Sequence, residues 1–465
     1  MTGSQRGRGF IGAGRAARVL ARGRSHGAGS RLALVAALAL VAMAVCAASA
    51  SAVECYGEGC DGSSYEYLTA YPGSVMPSTT TYFVYWDPKS APHPFPEGYE
   101  SGITTYFKGL AAENGSDQNQ YSVLTQYEVK YETHFGKALT DKDPYPAEDA
   151  ECAHSPTTPC VGSGQLEAEL ASLVKAHKLP SEFNTDYLPG EEPEARIAYF
   201  VLLPPGVTEC DSGEGSFGAL GCSGVNWCAY HDHANYNFRE GAHGGFEDVE
   251  GGEVLAVIPY NVGVRGCDSG QHPNGISDGA LSGGMVHEFS EMITNPLGNG
   301  WTAPQIEEYQ EVADMCEGRP WAGGNEAFKE KMMYGTPLGT APNGALYNEV
   351  VDGREYYYQQ LWSNEAGGCR QRRALPPIVT KLAPAKGSVA GGKKVKVTGL
   401  NFENPTATSV HFGKLPAKEF AVTSLRSITA VAPAAESAGP VEVTVTTSAG
   451  TSASTAADTF TYTAK

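Results

Sequence analysis

The sequence predicts two structured regions in series: a mixed α/β unit over 53–375 and an all-β sandwich over 376–465, behind a leader over 1–52. Three observations predict this. The 465 residues suffice for two or three domains, and 56 Gly with 29 Pro argue against a coiled coil. Helical and strand periodicities alternate up to residue 296, whereas from Pro376 only short alternating runs remain. All ten cysteines beyond the leader precede Pro376.

The leader comes first. Residues 1–31 contain seven Arg and no acid, and 32–52 carry no charge. With the small-residue string Ala48-Ser49-Ala50-Ser51-Ala52 this reads as a secretory signal cleaved after Ala50 or Ala52. An uncleaved anchor is the other reading, since ~20 apolar residues span a bilayer. An even cysteine set in an exported chain reads as disulfides. Cys55/Cys60, Cys152/Cys160 and Cys210/Cys222 make short loops, leaving Cys228/Cys267 and Cys316/Cys369 as long ones. No C-x-x-C pair occurs, so a thioredoxin-type site or thiolate zinc knuckle is not indicated.

The elements of the α/β unit follow in order. TTYFVYW (80–86) reads as a buried strand and 99–114 as a helix. Residues 120–132 read as a helix followed by a strand, and 164–178 as an amphipathic helix. ARIAYFVLLPP (195–205) and EVLAVIPY (253–260) are core strands. Residues 277–296 read as a helix stopped by Asn295-Pro296. Glycine-rich loops such as 241–252 separate these elements.

The sharpest local feature is His287-Glu288-Phe289-Ser290-Glu291. On a helix, His287 and Glu291 are one turn apart and project from one face, so both can bind one divalent metal. Glu288 is then placed to act as base, as in the H-E-x-x-H metalloprotease helix with Glu for the second His. Zinc accepts carboxylate oxygen, although a harder site admits other metals. Alone the motif is weak, because any surface helix can carry it. Glu311 follows twenty residues later, the distance at which gluzincin-type proteases place a third ligand, a Glu on a downstream helix. Asp314 is then a candidate to orient His287. A solvated acidic face over 307–314, with Glu307 and Glu308, is the alternative. In Cys222–His233, His231 and His233 either supply a ligand or a transition-state donor, or belong to a polar, disulfide-held loop.

Two resemblances emerge from these pieces. From Pro377-Ile378-Val379 through Gly391-Gly392, Phe412-Gly413 and Val443 to Phe460 and Tyr462, the tail resembles the IPT/TIG family of immunoglobulin-like domains. That resemblance implies spacing, dimerisation or adhesion rather than catalysis. TYFVYWD (81–87), CAYH (228–231), VIPY followed by Cys267, VHEFSEMITNP (286–296), EVADMC (311–316) and YNEVVDGREYYYQQLWSN (347–364) resemble the EXORDIUM-like (phosphate-induced protein) family. This implies an extracellular, zincin-like domain, with His287 and Glu291 as ligands, Glu288 as base and His231 as the box histidine. The family's plant members suggest cell-wall and growth-signalling roles.

Two functions are expected to compete. One is a secreted Zn2+-dependent peptidase, with His287, Glu291 and Glu311 holding zinc, Glu288 as base and His231 stabilising the oxyanion. The other is a non-catalytic cell-wall or surface protein; the partner is accordingly a peptide or a wall or surface ligand. Gly275–Gly279 fits G-x-S-x-G but has no strand before it, and Gly213–Gly218 fits G-x-G-x-x-G but has no helix after it, so neither a serine nucleophile nor an organic cofactor is indicated. The formal charge of −19 disfavours nucleic acid. It divides into +7 on the leader, −30 on 53–375 and +4 on 376–465. The acid therefore belongs to the region of the candidate metal helix, and the mildly basic sandwich suits an anionic envelope.

Overall fold

Strand β1 (Thr79–Trp86) sits second in a five-stranded sheet with β2 (Thr133–Asp141), β3 (Ile197–Leu202), β4 (Tyr230–His233) and β5 (Val254–Ile258). In the computed structural model the strand order is β2-β1-β3-β5-β4, parallel except that β4 pairs antiparallel with β5 at one edge. The described residues are 68–70, 75–181, 196–211, 221–233, 238–240, 246–248, 253–303, 311–317 and 332–464. The leader, Cys55/Cys60, residues 213–218, most of 241–252, Glu307 and Glu308 lie outside them.

The continuous apolar runs of β1, β3 and β5 are explained by burial on both sheet faces. Phe83 and Tyr85, Phe200 and Leu202, and Ala256 and Ile258 enter one core. Their neighbours Val84 and Trp86, Tyr199 and Val201, and Leu255 and Val257 enter a second core on the opposite face. Helix α1 (Tyr99–Ala112) covers the first face through Tyr99, Ile103, Tyr106, Phe107 and Leu110, which share one side at helical spacing. Helix α2 (Ser163–His177) covers the second face through Leu166, Leu170, Leu173 and Val174. Helix α3 (Val286–Thr294) lies on the first face, and all nine of its residues are buried.

Two expected elements differ. The helix expected over 277–296 is interrupted: a short turn at Asp278–Ala280 and a π turn at Leu281–Met285 precede α3. Gly283 and Gly284 leave helical geometry there, Gly284 with φ of 129°. The strand expected to end at 132 begins at Thr133 instead. Before it, Glu128 takes a left-handed conformation, φ 64°, and Tyr127, Val129 and Tyr131 are buried from irregular backbone. Their β-favouring side chains are thus used for packing without pairing.

Beyond Pro376 the all-β region is a sandwich. A four-stranded sheet orders the segments 378–383, 394–400, 427–431 and 419–424. A six-stranded sheet faces it, built around Gly439–Thr447. Val395, Val397, Phe412, Ile428, Val443, Val445 and Phe460 fill a core of their own. Against the α/β region, Arg426 pairs with Glu113 at 3.1 Å. Asn401 bridges the same seam, accepting from the Asp117 amide at 3.0 Å and donating to the Gly115 carbonyl at 2.9 Å.

Four of the five expected disulfides are formed among the described residues: Cys152–Cys160, Cys210–Cys222, Cys228–Cys267 and Cys316–Cys369. Among the described residues no helix is long and apolar enough to cross a membrane.

Candidate metal centre

Helix α3 is amphipathic in a way that splits core from site. Phe289 is fully buried, its ring 5.1–5.7 Å from those of Phe107, Tyr121 and Phe200. That aromatic cluster fixes the rotation of the helix and turns His287, Glu288 and Glu291 toward strand β4 and the segment 311–317. Ser290 and Thr294 bond back to carbonyls one turn earlier, at 2.8 and 3.1 Å, so their hydroxyls are satisfied within the helix. After Thr294 the chain leaves helical geometry at Asn295, ahead of Pro296, as expected.

Strand β4 is brought to the helix by three devices. The Cys228–Cys267 disulfide tethers its start. The Asn261 amide donates to the carbonyls of both Cys228 and Gly283. Gly284 leaves room for Ala229, whose Cβ would stand 2.5 Å from a Cβ at position 284. His231, opposite Ala256 in the β4–β5 ladder, consequently reaches the helix, with Nδ1 3.2 Å from Glu288 Oε2. His231 and His233 lie on a strand, the arrangement in which the pair faces one side. His233 approaches its neighbour Asp232 at 3.2 Å, and burial followed by the charge of His231 pushes its imidazole down to about 4.

The downstream acids complete the cluster. Glu311 was expected on a helix; it sits in irregular backbone just before a 3-10 turn at Asp314–Cys316. That turn presents the amides of Ala313 and Asp314, and both donate to Glu291 Oε1 at 3.1 Å. Glu291 Oε2 faces His287 Nε2 at 3.1 Å and His231 Nδ1 at 3.8 Å. Glu311 Oε1 accepts from the Asn295 amide at 2.6 Å and faces His231 Nε2 at 3.6 Å. Asp314 Oδ1 is 3.2 Å from His287 Nε2, the same nitrogen that faces Glu291, whereas an orienting carboxylate would hold the far one. Ligand atoms of His231, Glu291 and Glu311 lie within 4.8 Å of one another, as do those of His287, Glu288 and Glu291. The expected ligands His287, Glu291 and Glu311 thus divide between two groups that share Glu291, with His231 among the ligand-type residues and His233 in neither group.

The electrostatics follow from burial and crowding. Burial first, then the Asp314 charge, raise the Glu291 carboxyl against the pull of His287. Burial also raises Glu311, opposed by His231. Burial alone would lower both imidazoles. The surrounding carboxylates outweigh it, lifting His231 to about 10 through Glu311, Glu288 and Glu291, and His287 well above its usual value through Glu291 and Glu288. Asp314 is held below the usual carboxylate range: burial opposes this, but the hydrogen bond and charge of His287 prevail.

This donor set fits a divalent cation. Gln359 donates its amide to the Ala313 carbonyl at 2.9 Å, so its Oε1 is the acceptor 3.2 Å from His287 Nδ1. Nδ1 therefore carries a proton, with Glu317 also 3.4 Å away. Nε2 is left facing the oxygens of Glu291 and Asp314, and a proton or a cation has to lie between such groups. Like charges about 4 Å apart at an effective dielectric near 20 repel by about 4 kcal/mol, which a divalent ion reverses. Fixing the far nitrogen of a ligand imidazole by an amide oxygen is the usual outer support of zinc and similar ions. Gln359, Asn295 and Glu317 carry no site signal in the sequence: Asn295 reads as a helix stop, and Gln359 lies in YYYQQLWSN with no charge of its own.

Known proteins resemble parts of the chain. Residues 377–462 match the IPT/TIG domain family, so the C-terminal sandwich is an IPT/TIG domain. A 122-residue stretch is 35% identical to Protein EXORDIUM-like 3 of Arabidopsis thaliana, covering 26% of this chain and 34% of that protein. The chain thus matches about a third of the length of that curated relative. Among solved structures, the full extracellular region of Plexin A4 is similar at 21% identity and TM-score 0.18, over 25% of this chain and 11% of that one. SGBP-B from a xyloglucan utilization locus of Bacteroides uniformis is similar at 19% identity and TM-score 0.17, over 26% and 38%.

Proposed function

We propose that the chain is an extracellular surface-binding protein whose α/β region is organised around a divalent-metal centre, with zinc as the first candidate. The observation that carries the metal centre is His287 Nε2 held against two carboxylate oxygens, 3.1 and 3.2 Å away, with its other nitrogen fixed by Gln359. Four disulfides and an IPT/TIG domain support an extracellular or surface location. The ligand of such a protein would be a peptide or a cell-wall or surface component. Of the expected ligands His287, Glu291 and Glu311, Glu291 would hold the ion together with either His287 and Glu288 or His231 and Glu311, with Gln359 orienting His287 through its far nitrogen and Asn295 orienting Glu311.

Hydrolysis is the second reading, favoured by Glu288 lying next to His287 and 3.2 Å from His231. It carries with it the zincin-like assignment of the α/β region, which rests on the H-E-x-x-E helix against the sheet. When bound, zinc supplies Lewis acidity toward a peptide carbonyl. Glu288 would take a proton from water, and His231, cationic among its acids, would hold the developing oxyanion. Two features favour binding over turnover. His231, His287, Glu288, Glu291 and Glu311 are each at most 9% exposed, a closed arrangement typical of structural sites. Several carboxylates also quench the charge that Lewis acidity needs.

Zinc content of the purified full chain by mass spectrometry, beside cleavage of casein and peptide libraries, tests both readings. Zinc retained without cleavage, and lost in Glu291→Gln, is the expected result. Cleavage abolished by Glu288→Gln with zinc retained would put hydrolysis first. Absence of zinc after reconstitution would sink the metal centre in either reading.

A further inference from the structure

The donors gathered around helix α3 form two triads, not one. His231, Glu291 and Glu311 make the first; His287, Glu288 and Glu291 make the second. Glu291 belongs to both. Its Oε1 is committed to the amides of Ala313 and Asp314, which leaves Oε2 between the imidazoles of His287 and His231. A carboxylate oxygen so placed has lone pairs open to two electrophiles.

The charge count points the same way. Glu288, Glu291, Glu311, Asp314 and Glu317 bring five carboxylates to one place, where His231 and His287 supply the ion-pair partners among the described residues. Metal ligation requires neutral imidazoles, so the site with one divalent ion would keep a formal charge of −3. Two divalent ions would bring it to −1. Paired ions about 3.5–4 Å apart, sharing a protein ligand, are a known arrangement of metal centres.

We propose that the centre holds two divalent cations bridged by the Glu291 carboxylate, one in each triad. This rests on the metal reading above. It also assigns Glu288 to ligation, which removes the base from the hydrolytic reading and leaves a closed site.

The purified chain is loaded with zinc, freed of excess by gel filtration, and its zinc counted by mass spectrometry. Wild type is expected to retain two ions per chain, His231→Ala and His287→Ala one each, and Glu291→Gln to lose both. Asp143→Asn, in a separate grouping with Asp141 and Glu169, is expected to keep two. One ion in wild type, lost in either histidine variant, would overturn the pair while leaving the metal centre standing. A second ion lost in Asp143→Asn would overturn it too, by placing that ion elsewhere. No ion in wild type would overturn the metal reading itself. Because a variant can fail by misfolding, wild type loaded with two equivalents of manganese supplies an independent readout. An exchange-coupled paramagnetic resonance spectrum supports the bridge, and the six-line spectrum of isolated ions overturns it.

Discussion

Replacing Gly284 by Ala tests whether strand β4 and helix α3 are held together as described. Gly284 has φ of 129°, and a Cβ there would lie 2.5 Å from the Cβ of Ala229. Two costs combine. Holding an L-residue in that backbone region costs about 1–3 kcal/mol. Opening the contact to an ordinary separation needs a shift of about 1 Å, and such overpacking costs roughly 1–3 kcal/mol. The sum, about 2–6 kcal/mol, corresponds to a melting temperature lowered by roughly 4–12 °C for a unit of this size. Gly275→Ala is the control: its φ is 107°, but nothing lies within 4 Å of its Cβ, so the strain appears without the clash. The site supplies a second readout, because Ala229 is two residues from His231. Displacing a ligand group by more than about 0.5 Å spoils a preorganised site, so zinc should bind at least about tenfold more weakly in Gly284→Ala and unchanged in Gly275→Ala. Melting by calorimetry and zinc titration check both. If Gly284→Ala melts no lower than Gly275→Ala and binds zinc like wild type, the close approach of β4 to α3 is refuted.

Glu349 offers a test by pH. Its side chain is fully buried, and burial raises the carboxyl to about 8 against the pull of Arg372, 3.6 Å away. Between about 4.5 and 8 the folded state keeps a proton that the unfolded chain has lost. The stability associated with that proton is therefore complete below about 4.5 and disappears as pH rises through about 8. Glu349→Gln should flatten this part of the profile by an amount on the order of 4 kcal/mol, measured as the wild-type-to-variant difference in urea midpoints at pH 5 and 8.5; a difference independent of pH defeats the assignment. The Cys228–Cys267 bridge spans 39 residues, and replacing both cysteines by Ser should cost about 4 kcal/mol on the chain-entropy account. Zinc binding should weaken with it, whereas the Cys152/Cys160 replacement should leave zinc unchanged; equal zinc loss in both would argue against a role for the tether. Residues 376–465 expressed alone should fold, since the sandwich has a core of its own, and well-dispersed amide spectra would show it. A disordered spectrum would mean that the seam through Asn401 and Arg426 is required.

What could be read in the sequence was what local periodicity encodes. The runs 82–86, 197–202 and 254–258 are apolar without a break because both faces are covered, and that is visible as composition. The helix at 163–177 was visible because its Leu and Val positions share one side. The break at Gly283-Gly284 was not, because a glycine pair inside a helical pattern signals either a weak helix or a close approach. Only the position of Ala229, 55 residues earlier, decides between them. The β-like run 128–132 misled for a related reason: buried tyrosines satisfy the same composition whether or not their backbone pairs.

The candidate site shows the same division more sharply. His287, Glu288 and Glu291 were legible because helical spacing brings them together with no tertiary information. Distance along the chain points to Glu311, by analogy to a ligand on a downstream helix. The residue does reach the cluster, but by another route, from irregular backbone fastened by Asn295 on one side and leading into the 3-10 turn on the other. That turn does two things at once. It delivers Glu311 and Asp314 to the imidazoles, and it commits one oxygen of Glu291 to the amides of Ala313 and Asp314. The Cys316–Cys369 bridge closes the turn at its end. A backbone that fixes one oxygen of a carboxylate while aiming the other between two histidines limits how far that ligand can move. Rigidity of this kind favours holding ions over rearranging around a reacting substrate, which is the physical reason to place binding ahead of turnover for this helix.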